Sequence, residues 1–339
     1  MRGEGGIGDL KGKQVVAGMW GGRAPCVLAA GDAERYRNEL RVHCYRMLGS
    51  FIDAEELVQE TLLRAGRGRD AAEGHSSRRA WLYRLATNAC LDALANPARQ
   101  REMSAAPALM AEVSWLEPFP DRLLDAAEDG PGAAAVPRET IELTFLAALQ
   151  HLPVRQRAVI ILRDVLNRPV AEAAEILETN LAAVKGMLQR GRMTLRAYLP
   201  KERPRWGKAA EAAERDVLHR YVEANERSDL ARLKELLHED ARQTMPPHGL
   251  VYEGREAVLE LWGPVLAGDA AWGEWRSLPL RANRQPAAAN YVRRVGEERF
   301  EPVNIDVLAV RDGKIAEITT FEPRLLEPFG LPTALGRAG

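Results

Sequence analysis

The chain has 339 residues and a mass of 37.5 kDa, enough for two or three domains. It is 46% hydrophobic and 28% charged, as globular proteins are; it has no run of about 18 apolar residues to cross a membrane, and its three scattered cysteines (Cys26, Cys44, Cys90) exclude a disulfide framework and suit a reducing cytoplasm. The net charge of −1 conceals a segregation: residues 104–150 carry −6, residues 151–205 carry +6 and residues 206–339 carry −4, which makes 151–205 the candidate polyanion-binding stretch.

Residues 1–32 are Gly-rich and without periodicity, and read as a disordered tail. From Ala33 the pattern is helical. Leu40, His43, Cys44, Met47 and Leu48 follow i, i+3, i+4, i+7, i+8 spacing, and Gly49 can end that helix. A second helix is predicted over Asp53–Ala65, with Asp53 as N-cap and Glu56 at capping-box distance. A third starts near Ser77, carries Trp81, Leu82, Leu85, Ala89 and Leu94, and stops before Pro97. These helices make a first unit over 33–103. Residues 104–138, punctuated by Pro107, Pro118, Pro120, Gly130, Pro131, Gly132 and Pro137, read as an acidic linker. Helical periodicity returns over 139–200, and a second short linker occupies 201–210. Beyond it, residues 211–339 change character: short helices over Val217–Leu237, then strands Ala288–Val295, Val303–Val310 and Lys314–Phe321, the last two joined by a hairpin at Asp312-Gly313. The fold class expected is multidomain, two all-α modules followed by an α+β domain.

The most informative stretch is 169–199. Pro169 suits a first helical turn, Val170, Ala173, Ala174 and Leu177 form a short apolar face, and Asn180 is a good N-cap for the next helix. That helix turns Leu181, Val184, Leu188 and Leu195 inward and leaves Lys185, Gln189, Arg190, Arg192 and Arg196 on other faces. A tight turn between two helices, the second cationic, fits a helix-turn-helix: a helix enters the major groove, cations meet phosphates or guanine, and Gln reads adenine. An ordinary helical hairpin with a solvated face would show the same charges. Gly186 and Gly191 inside this helix should each cost it about 0.5–1 kcal/mol against Ala. A second nucleic-acid pattern is Ser76-Ser77-Arg78-Arg79-Ala80-Trp81-Leu82-Tyr83-Arg84, where aromatics can stack unpaired bases and cations track the backbone; Trp81 on an apolar stripe fits a core position equally.

With these residues in view, the chain resembles the sigma-70 family. His43–Ser50, Asp53–Thr61 and Trp81–Asp92 resemble region 2 of the extracytoplasmic-function (ECF) group, and Leu152–Val159 with the helix-turn-helix after it resembles region 4. The linker phrase Trp115–Asp121 looks like that of ECF factors with an extra C-terminal domain. Met245-Pro246-Pro247, Tyr252–Glu256 and Phe329–Pro332 are similar to the SnoaL-like, cone-shaped α+β fold. The resemblance implies a transcription initiation factor with core RNA polymerase and promoter DNA as partners. Asp53, Glu56, Gln59 and Glu60 would meet polymerase. Ser77, Arg78, Arg79, Trp81, Tyr83, Arg84 and Asn88 would capture the melted −10 element. Lys185, Gln189, Arg190, Arg192 and Arg196 would read the −35 element. The acidic linker would run through the RNA-exit region, and the C-terminal domain would modulate activity.

In the last domain Asn304 and Asp306 alternate with Val303, Ile305 and Val307, so the polar pair could line a pocket with Tyr252, His248 or Asn283 opposite, open to an unidentified small ligand. The competing reading is an isomerase or cyclase tethered to a DNA-binding module. No close carboxylate–His pair is identifiable from spacing, so no catalytic residue, cofactor or metal ligand is assigned.

Overall fold

The computed structural model describes residues 33–67, 77–96, 116–128, 135–199 and 208–336. The expected tail, residues 68–76, and most of both linkers lie outside these residues.

Three helices form the first unit: α1 (Arg37–Leu48), α2 (Phe51–Arg67) and α3 (Arg78–Ala95). The stripe expected on α1 is buried, and so is its opposite face, Arg41, Val42, Tyr45 and Arg46. Gly49 ends the helix in the left-handed conformation at φ 75°, its N–H donating to the Tyr45 carbonyl at 2.7 Å. The start of α2 differs from the expectation. Asp53 lies inside the helix, and Ser50 is the cap: its Oγ accepts from the Asp53 N–H at 3.1 Å. The linker supports this turn, because Glu117 Oε2 accepts from Ser50 Oγ and the Ile52 N–H, each at 3.0 Å. Ser77 caps α3, accepting from the Ala80 N–H at 3.1 Å.

The described part of the linker contains a helix, α4 (Asp121–Glu128), that its Pro/Gly density did not suggest. After a 3₁₀ turn at Arg138–Thr140 come α5 (Leu143–Gln150), α6 (Val154–Ile160) with a π turn at Ile161–Val165, and the two helices of the expected helix-turn-helix, α7 (Val170–Ile176) and α8 (Leu181–Tyr198). Asn180 is the α8 N-cap, its Oδ1 accepting from the Ala183 N–H at 2.8 Å.

The third unit opens with α9 (Lys208–Glu226), longer than expected, and α10 (Leu230–Leu236), capped by Asp229. A six-stranded sheet follows: β1 (Leu237–Met245), β2 (Leu250–Glu253), helix α11 (Arg255–Leu266), β3 (Glu274–Ala282), β4 (Gln285–Arg293), β5 (Glu301–Arg311) and β6 (Lys314–Phe321), closed by a short α12 (Leu326–Phe329). The strand order is β2-β1-β6-β5-β4-β3, antiparallel except for β1 with β6. Asp312 (φ 52°) and Gly313 (φ 72°) make the expected hairpin turn.

One hydrophobic cluster runs through all three units, beside two further clusters inside the C-terminal domain. It joins Leu40, Tyr45 and Met47 of α1 to Phe119 and Leu124 of the linker, Leu146 and Val159 of the second helical unit, and Ala282, Ala287 and Phe321 of the sheet. This is why α1 has no solvent face: other units cover what a lone three-helix unit would expose.

Candidate nucleic-acid interface

Helix α8 presents its cations as expected. Lys185, Gln189, Arg190, Arg192 and Arg196 are all exposed, and Val184, Leu188 and Leu195 are buried beneath them, whereas Leu181, expected inward, is 51% exposed in the first turn. Lys185, Gln189, Arg192 and Arg196 fall at i, i+4, i+7 and i+11, one continuous face. Arg192 is already paired, its guanidinium donating to both oxygens of Asp164 at 2.8 and 2.5 Å. Met193, 64% exposed in the middle of this face, escaped the sequence reasoning, which weighed only polar residues. The helix-turn-helix turn is tied to α6 by Arg155, which donates to the Leu177 carbonyl at 2.6 Å.

On α2, Glu56, Gln59 and Glu60 are exposed and Asp53 is half-buried. The exposed apolar residues Ile52 and Leu63 continue that face at i−4 and i+7 from Glu56, so the acidic patch is framed by hydrophobic side chains that its charge pattern did not reveal.

Helix α3 is the surprise. Trp81 is 3% exposed and Tyr83 1% exposed, so neither ring offers a face to a base in this arrangement. Ser77 is exposed, while Arg78, Arg79, Arg84 and Asn88 are half-buried. Arg79 donates to the Glu39 carboxylate, and the Arg168 guanidinium lies 4.9 Å from the Tyr83 ring centre. Burial pushes the Tyr83 hydroxyl up to about 12 and raises the Glu39 carboxyl above its ordinary range. Arg84 reaches Glu178, in the turn between α7 and α8, at 2.7 Å. Thus Tyr83 and Arg79 pack on α1, through His43 and Glu39, while Arg84 and the Tyr83 ring also meet the helix-turn-helix through Glu178 and Arg168.

The remaining candidates separate. Asp306 is buried in the cone with both oxygens engaged: Oδ2 accepts from Tyr221 Oη (2.8 Å) and Asn290 Nδ2 (2.6 Å), Oδ1 from Thr320 Oγ1 (2.6 Å). Burial raises its carboxyl above the ordinary range despite these donors. Asn304 joins the same network through Asn290 Nδ2 at 2.7 Å. Tyr252, half-buried, is paired with Gln243 across β1 and β2, and His248 is exposed beside Glu322.

Asn283 does not face that pocket. It sits with Arg284 at the tip of the β3–β4 hairpin, both left-handed at φ 56° and 61°, a two-residue type I′ turn. The tip inserts between the helical units. Asn283 Nδ2 donates to Tyr45 Oη and to the Ile141 carbonyl, each at 2.8 Å, and its Oδ1 accepts from the Phe119 N–H at 2.8 Å. The backbone answers, with Asn283 N–H donating to the Phe119 carbonyl at 2.9 Å. Beside it, Arg284 reaches Asp125 and Glu128 of α4, its N–H donates to Asp121 at 2.7 Å, and Gln285 accepts from the Leu143 N–H at 3.0 Å. Three consecutive residues, Asn283 to Gln285, therefore bond α1, the linker and the start of the second helical unit.

A second junction is polar and buried. Arg138 pairs with Glu142 at 2.6 Å and with Glu214 of α9 at 2.5 Å. Desolvation pushes the Glu142 carboxyl up to about 7, against the pull of Arg138.

Comparison with known proteins follows this division. Residues 33–100 match the family model for sigma-70 region 2, residues 142–195 that for sigma-70 region 4, and residues 218–318 that for a SnoaL-like domain. The chain is 41% identical over 329 residues to the ECF RNA polymerase sigma factor SigG of Mycobacterium tuberculosis, covering 93% of this chain and 88% of that one. It is 27% identical over 306 residues to SigJ of the same organism, covering 86% and 90%. The crystal structure of SigJ superposes with a TM-score of 0.59 at 23% identity over 90% of this chain and 100% of that one, which shows a shared fold. The chain belongs to the ECF sigma factors of the sigma-70 family, in a form that carries a SnoaL-like domain after region 4.

Proposed function

We propose that this sigma factor binds core RNA polymerase through the α2 face of Asp53, Glu56, Gln59 and Glu60, captures a melted −10 element on α3, and reads a −35 element with α8. We also propose that the structure represents a closed form, held by the SnoaL-like domain. The observation that carries this is the hydrogen bonding of Asn283 to region 2 and the linker and of Gln285, two residues on, to Leu143 of region 4.

Elements named for positions −10 and −35 lie roughly 80 Å apart on a duplex rising about 3.4 Å per base pair. Two regions that share one hydrophobic core cannot span that distance, and buried Trp81 and Tyr83 cannot stack on bases. Engagement of both elements therefore requires regions 2 and 4 to part, and the hairpin tip resists that parting. The tethered-enzyme reading draws less support, because both carboxylate oxygens of Asp306 are committed to internal donors.

The test is reconstitution. The purified chain should co-elute with core polymerase and start transcripts at defined sites on genomic templates. Charge reversal at Glu56 or Glu60 should weaken co-elution while leaving the thermal transition in place. Failure of the wild-type chain to associate with core polymerase would refute the reading.

A further inference from the structure

Glu178 occupies the turn of the helix-turn-helix at φ 49°, a left-handed conformation that glycine adopts without steric cost and that other residues enter at a cost. Its N–H donates to the Glu175 carbonyl and the adjoining Thr179 N–H to the Ala174 carbonyl, and Arg155 holds the Leu177 carbonyl, so the turn is satisfied without the Glu178 side chain. The turn thus has no use for a glutamate side chain. Among the described residues, that carboxylate finds its partner in the other DNA-reading unit: Arg84 of α3, at 2.7 Å. The other end of α7 repeats the device. Asn167 is also left-handed, at φ 51°, and the next residue, Arg168, lies over the Tyr83 ring at 4.9 Å. The two left-handed residues flanking α7 thereby place an anion and a cation on neighbouring positions of α3. Strained residues that serve a contact rather than their own turn point to a role for that contact.

We propose that Glu178 occupies at Arg84 the position of a promoter phosphate, so that region 4 masks the single-strand-binding face of region 2 with a nucleic-acid-like charge. This rests on the reading of α3 as a promoter-strand surface. It is separate from the hairpin tip, which touches neither residue. The chemistry is a competition between two anions for one guanidinium: a carboxylate tethered in the chain, and the phosphodiester of an unpaired strand, which Arg can hold through paired N–H donors. Both side chains are accessible at their edges, 33% for Arg84 and 59% for Glu178, so a strand can displace the carboxylate without prior unfolding. An exposed pair of this kind is weak and screened by salt, as a mask that must yield to polymerase and promoter together has to be.

The test uses the full-length chain and a fluorescently labelled single-stranded oligodeoxynucleotide of mixed sequence, with affinity read by anisotropy at low and high salt. Glu178→Gln keeps the shape and removes the charge, and should bind about two- to fivefold more tightly at low salt. The gain should vanish at high salt and in an Arg84→Ala background. Glu178→Gly, which also relieves the backbone, should match Glu178→Gln and melt no lower than wild type. If Arg84→Ala weakens binding but Glu178→Gln is silent, the mask is refuted and the α3 reading stands. If the gain survives in Arg84→Ala, it reflects overall charge and the mask is refuted. If Arg84→Ala binds as wild type does, the α3 reading fails and takes the mask with it.

Discussion

The side-chain amide of Asn283 donates to the hydroxyl of Tyr45 at 2.8 Å, across 238 positions of sequence, and both residues are fully buried. The same hydroxyl donates to the Glu117 carbonyl at 2.6 Å. Helix α1, the linker and the sheet therefore meet in a chain of two hydrogen bonds. Buried hydrogen bonds are worth most through the penalty for leaving their partners unmade, so this junction is stable when complete and costly when one member is missing.

Asn283→Ala strands the Phe119 N–H and the Ile141 carbonyl and forces alanine into a left-handed turn. It should lower stability by about 2–4 kcal/mol, read by denaturant or thermal unfolding. Asn283→Gly restores the turn geometry without the side chain. If the hydrogen bonds matter more than the backbone, it should recover only the smaller part of that loss.

Glu142 offers a pH dependence whose sign can be worked out. Its carboxyl is raised from the ordinary 4.5 to about 7, first by desolvation. Between those values the folded chain holds a proton that the unfolded chain releases, so this group's contribution falls as pH rises through the window. Glu142→Gln keeps the amide within reach of Arg138 and removes the titration. Its stability relative to wild type should rise by about 1–3 kcal/mol from pH 4.5 to above pH 7, measured by chemical denaturation.

His43 acts in the opposite sense. Thr87 Oγ1 donates to the Tyr83 carbonyl at 2.6 Å, so the His43 Nε2–H must donate to Thr87 at 2.9 Å, and burial keeps the ring neutral. Burial pulls it from 6.5 to about 3. Stability from this group is lost as pH falls from 6.5 toward 3, because the unfolded chain takes up the proton there. Chemical denaturation of a His43→Gln variant should show a shallower acid loss than wild type.

The two glycines of α8, alike in sequence, should respond oppositely to alanine. A Cβ at Gly191 would stand 3.0 Å from Ile160 Cγ1, whereas at Gly186 the nearest atom is an Arg190 terminal nitrogen at 3.4 Å. Gly191→Ala should destabilise by about 1–3 kcal/mol through overpacking. Gly186→Ala should stabilise by up to about 1 kcal/mol through helix propensity. Thermal melts of the two variants decide this.

Much of this was legible in the sequence because it is local. Apolar spacing placed α1, α3, α7, α8 and β5 to β6 and marked the stretch of α5 and α6 as helical without dividing it, and Asn180 and Asp312-Gly313 marked a cap and a turn by their own chemistry. The exposed faces of α2 and α8 followed from the same periodicity. What escaped depends on contacts between distant segments. Ser50 rather than Asp53 caps α2 because Glu117, 67 residues on, supports it. Asn283 looked like a pocket residue because a polar side chain beside a strand gives no sign of what it will meet. Trp81 read as a base-stacking or a core residue and Tyr83 as a base-stacking one, and only tertiary packing, with Tyr83 edge-on to His43 of α1, buries both.

In the closed form proposed above, the β3–β4 tip holds regions 2 and 4 together against polymerase and promoter. The most direct measurement is the affinity of full-length protein for core polymerase, with run-off transcription beside it, for wild type and for Asn283→Gly combined with Arg284→Ala. These substitutions remove the side-chain bonds of Asn283 and Arg284 and leave the α2 and α8 faces unchanged. The account predicts several-fold tighter binding to core enzyme and more transcript from the variant. Equal affinity and equal transcript from the two proteins would contradict it.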